Sequence, residues 1–275
     1  MNKDGLMRIY LFNATGNKIL ILDARSAAVF PNRLIDKLIS HMKGIQKEFQ
    51  PEIYTVLTLT HSKVRADFWN PDASQENLCG NALRCLPYII EKDDFVTGQK
   101  ITIETAHCDV WVKSRGYHTG ILEMNNKDIQ IKVLGKGRWL IDPGTPHLVI
   151  SVNRINSRNC VCLGQKLSHS QLPTNVTFVM MTPGELFIRT FERGVGETAS
   201  CGSGAIAAFL AYKQAVGESR TCNRCIKIRF LSGELLNVFH AVSSDNIVLW
   251  GSYKIIKIYD YMKEIDNGIH HCFVE

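Results

Sequence analysis

Phe191-Glu192-Arg193-Gly194-Val195-Gly196-Glu197-Thr198, then Ala199-Ser200, then Cys201-Gly202-Ser203-Gly204-Ala205, is the stretch on which the reading of this chain turns. Residues 176–181 and 186–191 before it are strand-like, and residues 206–212 after it form an apolar run with helical character. A Cys-Gly turn therefore sits where strand gives way to helix. The same plan occurs earlier in the chain. Strand-like residues 53–59 and 64–69 lead into the turn-rich Asn70-Pro71-Asp72-Ala73-Ser74, and Cys79-Gly80-Asn81-Ala82 opens an apolar run through Ile90.

Working outward, residues 7–23 read as a hairpin about Asn13-Ala14-Thr15-Gly16-Asn17. Leu34, Ile35, Leu38, Ile39 and Met42 give residues 31–45 a helical period. Residues 101–105, 110–113, 148–152, 226–230, 235–239 and 247–250 read as further strands. Each half thus has strands, a Cys-Gly turn, an apolar helix and more strands, which implies two related domains facing each other. The expected division is residues 1–118 with Cys79 and residues 119–260 with Cys201, joined near Gly116 to Gly120. The tail 261–275 is expected to pack back on the first half.

Composition narrows the class. At 275 residues the chain fits two packed domains, and 45% hydrophobic with 21% charged residues excludes a disordered chain. The net charge of +6 is spread out, not gathered into a basic stripe, so nucleic acid is not the expected partner. No run approaches the ~20 apolar residues of a membrane helix, and the charged N-terminus shows no secretory signal. Nine cysteines, an odd number, do not suit a small disulfide scaffold. The expectation is a soluble cytoplasmic protein with reduced thiols.

The two Cys-Gly turns carry the chemistry. A helix start has unpaired N–H groups and partial positive charge, which lowers a thiol's pKa and binds carboxylates. Glycine lets the backbone come close to a ligand. Inverting an α-carbon needs a base on one face and an acid on the other, and two thiols can exchange these roles. Helix-end N–H groups on the substrate carboxylate stabilise the developing carbanion, and no pyridoxal phosphate or other cofactor is required.

Other features carry less. Cys85 reads as packing, and Cys108, Cys160, Cys162 and Cys272 show no pattern. Cys222-x-x-Cys225 has the spacing of half a zinc site or a redox pair, but no second such pair accompanies it, so no metal is expected. His270-His271 reads as a solvated tail. Dinucleotide, phosphate-loop and zinc-protease motifs are absent from the sequence. A thiol hydrolase using Cys201 and His147 is an alternative, but it leaves the second Cys-Gly turn unexplained.

At these residues the sequence resembles the diaminopimelate epimerase family. The 191–205 stretch carries the resemblance most specifically. Asn70-x-Asp72-x-Ser74, Cys79-Gly80-Asn81-x-x-Arg84-Cys85, Gly144-x-Pro146-His147, Asn13 to Asn17 and Ile258-Tyr259-Asp260 add to it in family order. The resemblance implies an α+β fold of two similar domains, each a mixed sheet curled into a barrel around a central helix. It implies Cys79 and Cys201 as the acid/base pair, supported by His147 and Glu192, with Glu192 at the substrate amine. Asn17, Asn70, Asn175 and Arg193 are implied to bind substrate, Arg193 suiting a distal carboxylate, with the N–H groups of Gly80, Asn81, Gly202 and Ser203 on the α-carboxylate. It also implies a homodimer, with Tyr259 at the interface. The implied activity is interconversion of L,L- and meso-diaminopimelate for lysine and peptidoglycan synthesis.

The chain departs from the family at Lys18-Ile19, at Gln46-Lys47-Glu48-Phe49, at Thr145, and at Ala73 and Ala82, which replace glycines. These departures leave two alternatives: a racemase of another amino acid, for example histidine, and a non-catalytic scaffold of the same fold.

Overall fold

The structure, a computed structural model, describes residues 7–26, 39–40, 49–61, 63–94, 98–116, 118–155, 157–168, 174–217, 224–261 and 272–274. Most of the helix expected over 31–45 lies outside these residues, as do Gln46-Lys47-Glu48, Cys222 and His270-His271. No described helix is long and apolar enough to cross a membrane.

The first half contains β1 (Met7–Ala14), β2 (Asn17–Asp23), β3 (Ile53–Thr60), β4 (Lys63–Trp69), β5 (Gln75–Glu76), helix α1 (Gly80–Asp94), β6 (Ile101–Glu104), β7 (Asp109–Ser114) and β8 (Thr119–Asn125). The second contains β9 (Gln130–Gly135), β10 (Arg138–Asp142), β11 (His147–Ser151), helix α2 (Ser157–Ser168), β12 (Asn175–Thr182), β13 (Glu185–Glu192), β14 (Gly196–Thr198), helix α3 (Gly202–Val216), β15 (Ile226–Arg229), β16 (Leu235–Ala241), β17 (Asn246–Ser252), β18 (Lys254–Tyr261) and β19 (Cys272–Val274).

The halves repeat one pairing scheme. In the first, β2–β3 and β4–β6 are parallel, while β1–β2, β3–β4, β6–β7 and β7–β8 are antiparallel. In the second, β11–β12 and β13–β15 are parallel, while β10–β11, β12–β13, β15–β16 and β16–β17 are antiparallel. Around each Cys-Gly turn the repeat keeps a constant shift of 122 residues: Ile53 to Asn175, Lys63 to Glu185, Gly80 to Gly202. The last strands of the two series, β8 and β17, pair antiparallel along their whole lengths and join the halves into one sheet.

Alternation places the cores. In β1, Tyr10, Phe12 and Ala14 face the core around α1, while Met7, Ile9 and Leu11 face an outer cluster with Leu20, Leu22, Tyr54 and Trp69. In the second half Val149 and Val179 face inward, while Ile150, Val176 and Phe178 meet Cys160 of α2 on the outer side. A strand buried on both faces must be apolar on both, which explains the near-continuous hydrophobic runs. Helix α3 is buried from Gly202 through Ala211, as a helix wrapped by its sheet must be. Each fully buried Leu, Ile or Phe contributes roughly 1.5–3 kcal/mol.

β18 lies against β1 of the first half from Lys254 onward. It fills what would be the open edge of β1. Tyr259 is 3% exposed within the single chain and belongs to the outer cluster.

Candidate active site

The strands and helices bring the two Cys-Gly turns together. Cys201 caps α3, with extended backbone (φ −136°, ψ 117°) and its Sγ accepting from Gly204 N at 3.3 Å. Cys79 occupies the matching place before α1, where its carbonyl accepts from Leu83 N at 3.0 Å. The two helix starts abut. A Cβ on Gly202 would lie 3.1 Å from Gly80 Cα and 3.2 Å from Asn81 N, both backbone atoms, so any larger residue would push the two helix starts apart by a few tenths of an ångström. The cleft above this contact is lined by Cys79, Gly80, Asn81, Cys201, Gly202 and Ser203, with Asn17, Glu76 and Glu192 at its sides. Ile53, Leu78, Thr145 and Ser200 complete it, around a cavity of about 20 Å³.

The first hairpin reaches this cleft because Gly16 turns it at φ +85° and donates its N–H to Asn13 Oδ1 at 2.8 Å. Asn17 Nδ2 then donates to Ser200 O at 3.4 Å. Asn81 Nδ2 donates to Ser200 O at 3.3 Å and to Ser200 Oγ at 3.0 Å, tying α1 to the segment before α3. Thr145 Oγ1 donates to Leu78 O at 3.3 Å.

Not every expected residue reaches the cleft. His147 is fully buried behind Ser203, its Nε2 2.9 Å from Ser203 Oγ and its Nδ1 2.9 Å from Thr177 Oγ1. Ser203 Oγ is in turn 3.3 Å from Cys201 Sγ. Asn175 sits at the rear, its Oδ1 accepting from Arg193 N at 2.8 Å, and neither residue lines the cleft. Asn70 acts through Glu76, donating from Nδ2 to Oε1 at 2.8 Å. The sequence reading missed Glu76 and Ser200. The signal for Glu76 lay in the repeat, since it is three residues before Cys79 just as Thr198 is three before Cys201. Among the described residues no group of three or more His, Cys, Asp or Glu is arranged to hold a metal ion.

The electrostatics revise one expectation. Helix-end N–H groups were expected to bring the thiols toward ionisation near neutral pH. Burial outweighs them: the Cys79 thiol is pushed up to about 12, and Cys201 is raised well above its usual value. The Glu192 carboxylate adds to both shifts, while N–H groups of Ala82 and Asn81, and the Ser203 hydroxyl with Gly204 N–H, pull back only partly. Both thiols are therefore protonated in the closed cleft. Burial holds His147 down to about 3, so it is a neutral imidazole.

Glu192 is raised to about 7, first by burial and then by the Glu52 and Glu76 carboxylates, against donation from Thr198 Oγ1 and the Cys201 thiol. A carboxyl raised on folding stabilises the fold fully below its unfolded value, near 4.5, and loses that contribution as pH rises through about 7. Between about pH 5 and pH 8, wild type should therefore lose on the order of 2 kcal/mol more unfolding free energy than Glu192→Gln. His147, depressed on folding, contributes in the opposite sense in both proteins and cancels. Urea titrations at the two pH values check this, and parallel losses would refute it.

A family profile for diaminopimelate epimerase matches residues 139–256. The diaminopimelate epimerase of Flavobacterium psychrophilum is 28% identical over 267 residues, covering 91% of this chain and 98% of that protein. The diaminopimelate epimerase of Desulforapulum autotrophicum is 29% identical over 228 residues, covering 71% and 80%. A hydroxyproline epimerase from Agrobacterium vitis, solved with bound trans-4-hydroxy-L-proline, superposes with a TM-score of 0.63 at 17% identity, covering 94% of this chain and 92% of that one. That likeness is one of fold.

Proposed function

Because the chain is an isomerase of the epimerase and racemase kind, related to the diaminopimelate epimerases, we propose that it interconverts L,L- and meso-diaminopimelate by passing the α-proton between Cys79 and Cys201, in lysine and peptidoglycan precursor synthesis. The observation that carries this is the shared cleft. Two thiols from different halves line one cavity whose floor is a pair of helix starts in contact.

The helix-end N–H groups of Gly80, Asn81, Gly202 and Ser203 hold the α-carboxylate and stabilise the charge that develops on it. Glu192 receives the α-ammonium. One thiol gives its proton to solvent as substrate enters the open cleft, and the bound ammonium, by offsetting the Glu192 charge, helps hold the thiolate against burial, the first cause of the raised thiols. One sulfur then takes the proton from its face of the α-carbon while the other thiol delivers a proton to the opposite face. His147 fixes Ser203, and through it Cys201. Arg193 and Asn175 serve the distal part of the substrate when the cleft opens, and Asn17 and Asn70 serve it from the first half. The reading is of a cytoplasmic, cofactor-independent homodimer with one small-molecule substrate per site.

A racemase of another amino acid, such as histidine, would use the same machinery. The observation favouring it is the altered surroundings: Lys18 Nζ lies 5.8 Å from the Phe49 ring centroid, and Thr145 is bonded to Leu78 O. Deuterium exchange separates the readings. The protein is incubated in heavy water with single amino acids and the α-proton signal followed by NMR. Label entering diaminopimelate alone is expected; label entering histidine or another amino acid instead moves the assignment to the second reading. No exchange with any amino acid would overturn both and favour a scaffold.

A further inference from the structure

We infer that Glu76 is a second carboxylate for the substrate's α-ammonium, acting with Glu192 from the opposite half of the cleft; the inference rests on the amino-acid epimerase reading above.

Glu76 belongs to β5, two residues long, and nothing about that strand requires an acid. Its carboxylate lines the same cavity as both thiols and Glu192, and Asn70 Nδ2 holds its Oε1 at 2.8 Å. The second half has the matching arrangement with the roles exchanged. Shifted by 122 residues, Asn70 corresponds to Glu192 and Glu76 to Thr198, and Thr198 Oγ1 donates to Glu192 Oε1. Each half therefore offers one carboxylate, fixed by a neutral partner from the position six residues away.

A third acceptor points to the ligand. Asn17 is 4% exposed and lines the cleft, yet its Oδ1 is buried without a hydrogen-bond partner. Such an atom costs roughly 1–3 kcal/mol until a donor arrives. Two carboxylates and an orphaned amide oxygen are all acceptors, and an alkylammonium has three N–H donors. A carboxylate or a neutral apolar group would leave the acidic pair uncompensated. With the α-carboxylate on the helix starts, the group bonded to the same carbon that best suits these acceptors is the ammonium. Holding it protonated also keeps the α-proton acidic.

Glu76→Gln, assayed by exchange into meso-diaminopimelate across pH, tests this. Removing one charge-assisted hydrogen bond should raise KM about tenfold while kcat changes by less than about threefold. The groups acting on Glu192 are Glu52, Glu76, the Thr198 hydroxyl and the Cys201 thiol, with Cys79 across the cleft. Removing the Glu76 charge should therefore move the acid limb of kcat/KM to lower pH, which a merely structural role would not do. Glu76→Thr, copying the counterpart position, should reproduce the KM rise if the glutamine variant folds poorly. An active wild type whose KM and acid limb are both unchanged in these variants would overturn the inference alone. A wild type that exchanges no amino acid would overturn it together with the proposed function.

Discussion

Cys79→Ser and Cys201→Ser each lower turnover by about two to four orders of magnitude, the span expected for losing a positioned acid or base. Serine nearly preserves size, and the bonds from Leu83 N to Cys79 O and from Ala205 N to Cys201 O do not depend on the side chain. Thermal unfolding should accordingly stay close to wild type. What changes is acidity, because a hydroxyl ionises far less readily than a thiol and the dry cleft penalises the anion further. The two variants differ in one respect. Cys201 Sγ lies within reach of Ser203 and Gly204, so in Cys201→Ser the new hydroxyl keeps partners there. Exchange of the α-proton in heavy water, measured beside the melting curve, is the check. Near-normal turnover in either variant would remove the two-thiol mechanism.

Gly120→Ala is the largest expected loss of stability. A Cβ at this position would stand 1.8 Å from the Arg84 carbonyl oxygen and 2.6 Å from its carbon. That is backbone, and it cannot swing aside as a side-chain end would. Arg84 is also pinned: its guanidinium donates to Asn81 Oδ1 at 2.7 Å, Thr15 Oγ1 at 3.1 Å and Ser252 O at 3.3 Å. Gly120 pairs across the seam with Gly251, where a Cβ would meet Leu236 at 2.3 Å and Arg84 at 3.1 Å. The two glycines make the space that lets α1 and its buried arginine lie on the strands joining the halves. Alanine should cost about 3 kcal/mol or more, the upper end of overpacking. Urea unfolding measures it, and a loss below about 1 kcal/mol would show that helix and seam separate freely there.

The parts of the fold legible in the sequence are those written in short range. The first hairpin announces itself through Gly16, and both Cys-Gly turns stand directly before apolar helices, as observed. The central helix α3 is legible because it is apolar on every side. β9 and β10 were not legible. β9 is exposed along its whole length, and its Lys132, Gly135, Lys136 and Gly137 surroundings read as loop. Helix α2 is not legible because its buried positions are Cys160, Gly164 and Ser168 while Val161 and Leu163 are exposed, so no apolar stripe marks it. The pairing of β18 with β1 links residues about 250 apart, and no local pattern encodes it. In the site, the thiols, Glu192 and the helix starts were legible as motifs. Glu76 was not, because its meaning depends on which residue of the other half it mirrors. The protonation of the thiols was also hidden, since a helix end is a local feature while desolvation depends on the whole closed cleft.

The narrowness of the cavity has a consequence for timing. A space of about 20 Å³ is enough for one water molecule and far too small for an amino acid. The halves must therefore part at the mouth of the cleft before a substrate enters and again before its product leaves. The β8–β17 ladder, bonded along its length from Thr119 to Asn125, keeps the halves attached while they do so. The molecule thus resembles a book whose spine is that ladder, and the traffic of reactant and product is set by how often its pages part.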